Sequence, residues 1–197
     1  MTTQRNFLIV LNGASSSGKT LTAQALRAQL GASCIYTGFD EILARVQPFG
    51  PDHGGMWHGL QRSVRILWFQ LTDGRLHLLK QLHREVVAQV QAGHPVIVET
   101  ALMDPRALQD AAACFAPLGG LFVGMKPPLA VSEQWEVQRG DRPQGQARKH
   151  YDLIHQHGLY DLLLDPAQLT PEACAVAILQ RLAGPPPYAF QQLTAIK

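Results

Sequence analysis

Ile9-Val-Leu-Asn-Gly13-Ala-Ser-Ser-Ser-Gly18-Lys19-Thr20 is the stretch that decides the fold. Phe7 to Leu11 is an unbroken aliphatic run, the pattern of a strand buried on both faces. Gly13 to Thr20 matches G-x-x-x-x-G-K-[ST] at every fixed position. From average residue frequencies, a chain of this length would show that match by chance about one time in a hundred. Leu21, Ala25, Leu26 and Leu30 then form a helical stripe, and Gly31 is a stop signal. Strand, glycine loop and helix in that order build a phosphate cradle. The glycines let successive N–H groups point inward, and the helix start adds partial positive charge. The candidate binding residues are therefore Gly13, Ala14, Ser15, Ser16, Ser17, Gly18, Lys19 and Thr20. Lys19 supplies a point charge for the β- and γ-phosphates, and the Thr20 hydroxyl is a ligand for Mg²⁺. A serine-rich turn with Ser16 or Ser17 as helix cap is the bland alternative. The full motif in the right context favours a nucleoside triphosphate with magnesium.

Working outward, short apolar runs alternate with longer amphipathic ones. Strands are expected at Cys34–Tyr36, Pro95–Glu99, Leu121–Met125 and Tyr160–Leu164. Helices are expected at Glu41–Val46, Leu76–Ala92, Pro105–Phe115, Leu129–Gln138 and Thr170–Leu182, with Pro105 and Pro171 suited to a first turn. Such alternation means βαβ units. The expected fold is α/β: a doubly wound, mostly parallel five-stranded sheet flanked by helices, spanning 1–184. Residues 48–77 break the alternation and read as an inserted substrate arm, with Asp73-Gly74 a hairpin signal. Trp57, Leu60, Trp68 and Phe69 in the arm suit either an aromatic substrate pocket or the core. Pro185-Pro186-Pro187 opens a separate tail, 185–197.

Of 197 residues, 46% are hydrophobic and 16% charged, which leaves ample apolar side chain for a real core and argues against disorder. A net charge of +2 argues against nucleic-acid coating. Cys34, Cys114 and Cys174 are an odd, scattered set, neither a disulfide framework nor a zinc site. The first apolar run is too short for a signal peptide or a membrane span. A soluble, cytoplasmic protein is expected, with no membrane partner. A homo-oligomer stays open.

Several further residues carry chemistry. Asp40, just past the second strand, stands where ligands sit in open α/β sheets. It suits a general base for a substrate hydroxyl, and equally a cap for the helix from Glu41. Glu99, at the end of the third strand, suits a carboxylate near a magnesium-bound water. Arg139 and Arg142 read as a cationic lid, about 139–149, that closes over phosphates, against the alternative of a solvated basic helix end. His155, His157, Gly158, Tyr160 and Asp161 form a polar cluster with no third metal ligand nearby. The Asn-Lys-x-Asp of GTPases is nowhere in the chain, and no strand ends in the Asp-Glu of a transporter ATPase.

Taken together, the loop, Gly38-Phe39-Asp40, Val96-Ile-Val-Glu99, Leu121-Phe-Val-Gly124, Arg139-Gly-Asp-Arg142 and His155-x-x-Gly158-x-Tyr160-Asp161 resemble the chloramphenicol phosphotransferase-like family of phosphate-loop kinases. They occur in family order from about Phe7 to Leu182. The resemblance implies ATP-dependent phosphorylation of a hydroxyl on a small molecule, with Asp40 as general base and Lys19, Arg139 and Arg142 on phosphates. The alternatives are a nucleotide-binding regulatory ATPase and a zeta-toxin-like kinase of an activated sugar. This chain has Glu99-Thr100 where the type member of the family has two aspartates, and its 48–77 segment shows little similarity, so chloramphenicol is one candidate acceptor among others.

Overall fold

The computed structural model describes residues 6–45, 73–140 and 144–195. Five strands, β1 (Leu8–Asn12), β2 (Ile35–Gly38), β3 (Val96–Thr100), β4 (Leu121–Met125) and β5 (Leu162–Leu164), form one sheet in the order β2-β3-β1-β4-β5. Every pairing is parallel. The helices are α1 (Lys19–Leu30), α2 (Phe39–Arg45), α3 (Gly74–Gln91), α4 (Pro105–Phe115), α5 (Leu129–Arg139), α6 (Gln146–His155), α7 (Pro171–Leu182) and α8 (Ala189–Ala195).

Alternate strand residues sort to the two faces of the sheet, as the period of two requires. Leu8, Val10, Val96, Val98 and Phe122 pack with α3, α4 and α8. Ile9, Leu11, Ile97, Leu121 and Val123 pack with α1 and α7. Both faces are covered, which is why these strands read as unbroken apolar runs.

The register sets the position of the site. Asn12 lies beside Thr100 on β3 and Gly124 on β4, and Gly38 lies beside Glu99. The carboxyl ends of four strands therefore finish level, on the edge from which the loop after β1 departs. With β3 on one side of β1 and β4 on the other, that edge is the point where strand order reverses.

Two of the expected starts are capped as their residue types suggest: Asp104 accepts from Arg106 N–H ahead of Pro105, and Thr170 from Ala173 N–H ahead of Pro171. Two details differ. The Asp73-Gly74 pair does not turn a hairpin; Gly74 begins α3, with Asp73 left-handed at φ 51° in front of it. The rest of the expected arm, through residue 72, lies outside the described residues, as do Trp57, Leu60, Trp68 and Phe69. On α1, the side chains turned inward are Thr22, Ala23 and Leu26, whereas Leu21 is exposed. Two helices also went unread in the sequence. α6 presents only Ala147, Ile154 and His155 to the interior, too sparse a stripe to read. α8 buries Phe190 and Leu193 in the core.

Asp161 explains how the tail returns. Fully buried, its carboxylate accepts from Phe122 N–H at 2.9 Å, Tyr188 N–H at 2.7 Å and Ala189 N–H at 3.1 Å. Arg181 pairs with it at 3.6 Å. One carboxylate thus joins β4 to the first turn of α8 and pairs with a partly buried cation.

Candidate functional site

A cavity of about 600 Å³ opens over the loop between β1 and α1. Ser15 to Thr22 form its floor, Asp40 and Glu99 one wall, and Trp135, Gln138 and Arg139 of α5 another. The loop is tightly built. A Cβ on Gly13 would stand 2.6 Å from the Met125 carbonyl oxygen, and Gly18 takes φ +83°. Ser16 is left-handed at φ 56°, a costly conformation for a serine and one that aims the loop inward. The Oγ atoms of Ser15 and Ser16 are buried and have no hydrogen-bond partner. A phosphate would supply the missing acceptors, so the cradle fits the group the sequence implies. The Lys19 ammonium donates to the Gly13 and Ala14 carbonyls at 2.9 and 2.7 Å, lying across the loop where phosphate oxygens would compete for it.

Glu99 meets Thr20 directly: the Thr20 hydroxyl donates to Glu99 Oε2 at 3.1 Å. A hydroxyl and a carboxylate side by side above the cradle are the donor set that Mg²⁺ accepts when phosphates and waters complete its shell, so these residues fit the metal as well. The other oxygen, Oε1, accepts from the Tyr36 phenol at 2.6 Å. Burial, then that carboxylate, push the Tyr36 pKa well up, so the phenol stays a donor. Tyr36 carried no motif, and only the parallel register of β2 on β3 brings it to Glu99.

Asp40 lies inside the first turn of α2, which begins at Phe39, two residues ahead of the Glu41 start that a cap at Asp40 would require. Nearby, the Arg75 guanidinium stands 4.5 Å over the Phe39 ring and donates to the Ala101 carbonyl at 3.4 Å. Burial pulls the Arg75 pKa down while Asp40 pushes it up, so a cation sits within electrostatic range of the candidate base. Arg75 fell inside the expected arm and carried no signal of its own.

On the lid side, Arg139 closes α5 and lines the cavity, while Arg142 lies outside the described residues. Arg148 on α6 makes a two-bond pair with Glu133 on α5, at 2.6 and 3.0 Å.

The polar cluster at 155–161 is largely architectural. The Tyr160 hydroxyl accepts from Asn12 Nδ2 at 2.9 Å and lies 2.8 Å from His155 Nδ1. Asn12 Oδ1 in turn accepts from Leu102 N–H. This buried chain ties the end of β1, and hence the root of the loop, to α6. Burial, with Lys126, His157 and Lys19 nearby, pulls the His155 pKa down to about 4, so the ring is neutral near pH 7. Among the described residues, no group of three or more His, Cys, Asp or Glu gathers as a metal cage, and no helix is long and apolar enough to cross a membrane.

Comparison with known proteins agrees with this geometry. The family model described as chloramphenicol phosphotransferase-like protein matches residues 6–183. A Mycobacterium tuberculosis protein named "Putative O-phosphotransferase" is 28% identical over 200 residues, covering 94% of this chain and 87% of its own. Among solved structures, the APS kinase of M. tuberculosis in complex with AMPPNP and APS has 18% identity and a TM-score of 0.65, over 91% of this chain and 99% of that one. A gluconokinase from Sinorhizobium meliloti has 20% identity and a TM-score of 0.62, over 91% and 94%. At such identities the two structures share a fold with this chain, a phosphate-loop kinase fold.

Proposed function

The chain belongs to the chloramphenicol phosphotransferase-like family, and from that premise we propose that it transfers the γ-phosphoryl group of ATP to a hydroxyl of a small molecule. Family and fold support a phosphotransferase. The observation that carries the finer reading is that Asp40 lines the same cavity as Lys19, Thr20 and Glu99. Phosphate binding alone has no use for a carboxylate there.

In this reading the loop N–H groups from Gly13 to Thr20 hold the β- and γ-phosphates, and Lys19 leaves the Gly13 and Ala14 carbonyls to pair with them. Thr20 and Glu99 hold a Mg²⁺ ion, which neutralises phosphate charge when bound. Asp40 orients the acceptor hydroxyl and takes its proton as the new P–O bond forms, while the bond from the γ-phosphorus to the bridging oxygen breaks and ADP leaves. Arg75 stands as a cation within electrostatic range of that carboxylate. Arg139 and Arg142, brought over the phosphates, stabilise the charge spread over the transferring group and keep water out. Acceptor specificity is assigned to the 48–77 segment, of which residues 48–72 lie outside the described residues. The three cysteines are free thiols, which suits a cytoplasmic enzyme.

The test is an incubation with Mg·ATP and a panel of hydroxylated antibiotics, sugars and hydroxy acids, read by the mass gain of one phosphoryl group. Lys19→Ala is the control that must abolish the gain. ATP hydrolysis with no acceptor modified across the panel would favour a regulatory ATPase instead, and modification confined to nucleotide-activated sugars would favour the zeta-toxin-like kinase.

A further inference from the structure

We propose that Tyr36 is a positioning residue for the divalent cation, pinning Glu99 by one oxygen so that the other is presented at Thr20. The proposal rests on the reading of Thr20 and Glu99 as the residues that hold Mg²⁺.

The argument starts from reach. Glu99 has one more methylene than an aspartate, so its carboxylate has an additional torsion to settle before it can serve a cation. Two donors settle it in this chain. The Tyr36 phenol donates to Oε1 at 2.6 Å, a length typical of a strong hydrogen bond to a charged oxygen, and the Thr20 hydroxyl donates to Oε2 at 3.1 Å. The register explains why a tyrosine can do this. Gly38 lies beside Glu99 in the sheet, and Tyr36 is two residues back on β2, so it points to the same face as Gly38 would. A Cβ on Gly38 would meet the Glu99 Cβ at 3.2 Å and its carbonyl oxygen at 3.1 Å. The missing side chain at Gly38 leaves a lane along which the phenol reaches forward to the carboxylate. The Arg27 guanidinium, 5.8 Å from the Tyr36 ring centre, holds the ring from α1, the helix that also carries Thr20.

This arrangement has a consequence for metal choice. A carboxylate with one oxygen committed to a phenol offers a single oxygen to a cation. Mg²⁺ accepts that readily, since its octahedral shell takes few carboxylate oxygens and keeps several waters. Ca²⁺ is larger and gains from carboxylates that swing to give both oxygens. Tyr36 therefore strengthens Mg²⁺ binding and disfavours Ca²⁺.

The experiment uses the full chain with AMPPNP and Mn²⁺, a Mg²⁺ substitute whose free form is read directly by electron paramagnetic resonance. Tyr36→Phe keeps the ring and removes the donor. Outer-shell partners of metal ligands typically change affinity by about 10–100-fold. Tyr36→Phe should weaken Mn²⁺ binding to the nucleotide complex by about tenfold and let Ca²⁺ compete more effectively, while AMPPNP binding in EDTA stays at the parental level. In a Glu99→Gln background the same change should have no further effect. Unchanged Mn²⁺ affinity and Ca²⁺ competition in Tyr36→Phe would overturn the proposal while leaving the phosphate loop intact. So would an equal loss in the Glu99→Gln background, since the phenol would then act through something else. A parental chain that binds AMPPNP but no Mn²⁺ would overturn the brace together with the metal role of Thr20 and Glu99. Failure of AMPPNP itself to bind would bring down the loop reading, and the proposal with it.

Discussion

Glu136 Oε2 accepts a hydrogen bond from the N–H of Gly145 at 2.7 Å, so the last turn of α5 and the start of α6 are joined across the expected lid. Its other oxygen accepts from Ala147 N–H at 2.9 Å. A carboxylate only 3% exposed thus satisfies two orphan donors at a helix start, where the dipole also favours negative charge. One side chain thus ties the end of α5, where Arg139 stands, to the start of α6. Glu136→Gln retains the shape but brings an NH₂ against one of the two N–H donors. It should lower unfolding free energy by about 1–3 kcal/mol in urea titrations and reduce turnover through a looser lid. Parental stability would show that α6 is held elsewhere.

Asp40→Asn separates base from scaffold. The substitution is nearly isosteric, so melting temperature and ATP affinity should stay at parental values. A general base contributes about 10²–10⁴-fold, so turnover of an identified acceptor should fall at least about a hundredfold. Acceptor binding should change much less. Near-parental turnover would leave Asp40 a structural residue of α2.

Asp161, although part of a motif shared with the family, should behave oppositely. Its buried carboxylate serves three N–H donors and Arg181. Asp161→Asn should cost about 3 kcal/mol or more of stability, seen as a lower urea midpoint. The fraction that stays folded should bind ATP as the parent does. A stable Asp161→Asn protein with impaired turnover would move this residue into the site.

The pH dependence follows from His155. Its folded pKa of about 4 lies below the ordinary 6.5, so between those values the unfolded chain takes up a proton that the folded one does not. Stability should therefore fall as pH drops from about 6.5 towards 4, by up to roughly 3 kcal/mol from this group. His83, His150 and His157 are also pulled down by burial and add to the same slope. Urea midpoints measured across this range should show a shallower slope for His155→Gln. An unchanged slope would assign the effect to the other histidines.

How much was legible varied with the range of the interaction. The Gly13–Thr20 loop and the strand before it could be read because their chemistry is local: eight consecutive residues carry the backbone donors, the cation and the hydroxyl. The five strands were legible because a sheet covered on both faces demands unbroken apolar runs. α8 was not, because seven residues opened by Tyr188 after three prolines carry no periodic stripe; Phe190 and Leu193 become core only against α4 and β4. Asp73-Gly74 misled because a pair that suits a hairpin turn suits a helix entry equally well, and the strand needed to complete a hairpin is replaced by α3.

By itself the sequence determined the class of fold, the phosphate loop and the order in which candidate carboxylates and arginines follow it. Those depend on local propensity, on side-chain period and on motif spacing. Only the tertiary structure decided which of those residues meet. The level ends of β1, β2 and β3 place Glu99 against Thr20, and parallel register carries Tyr36 to Glu99 past the bare Gly38. Packing, which no single residue announces, made Asp161, with its side chain fully buried, the clasp of the tail. Contacts between residues distant in sequence depend on strand order and register, quantities that a lone strand does not encode because its partners are chosen by the whole core.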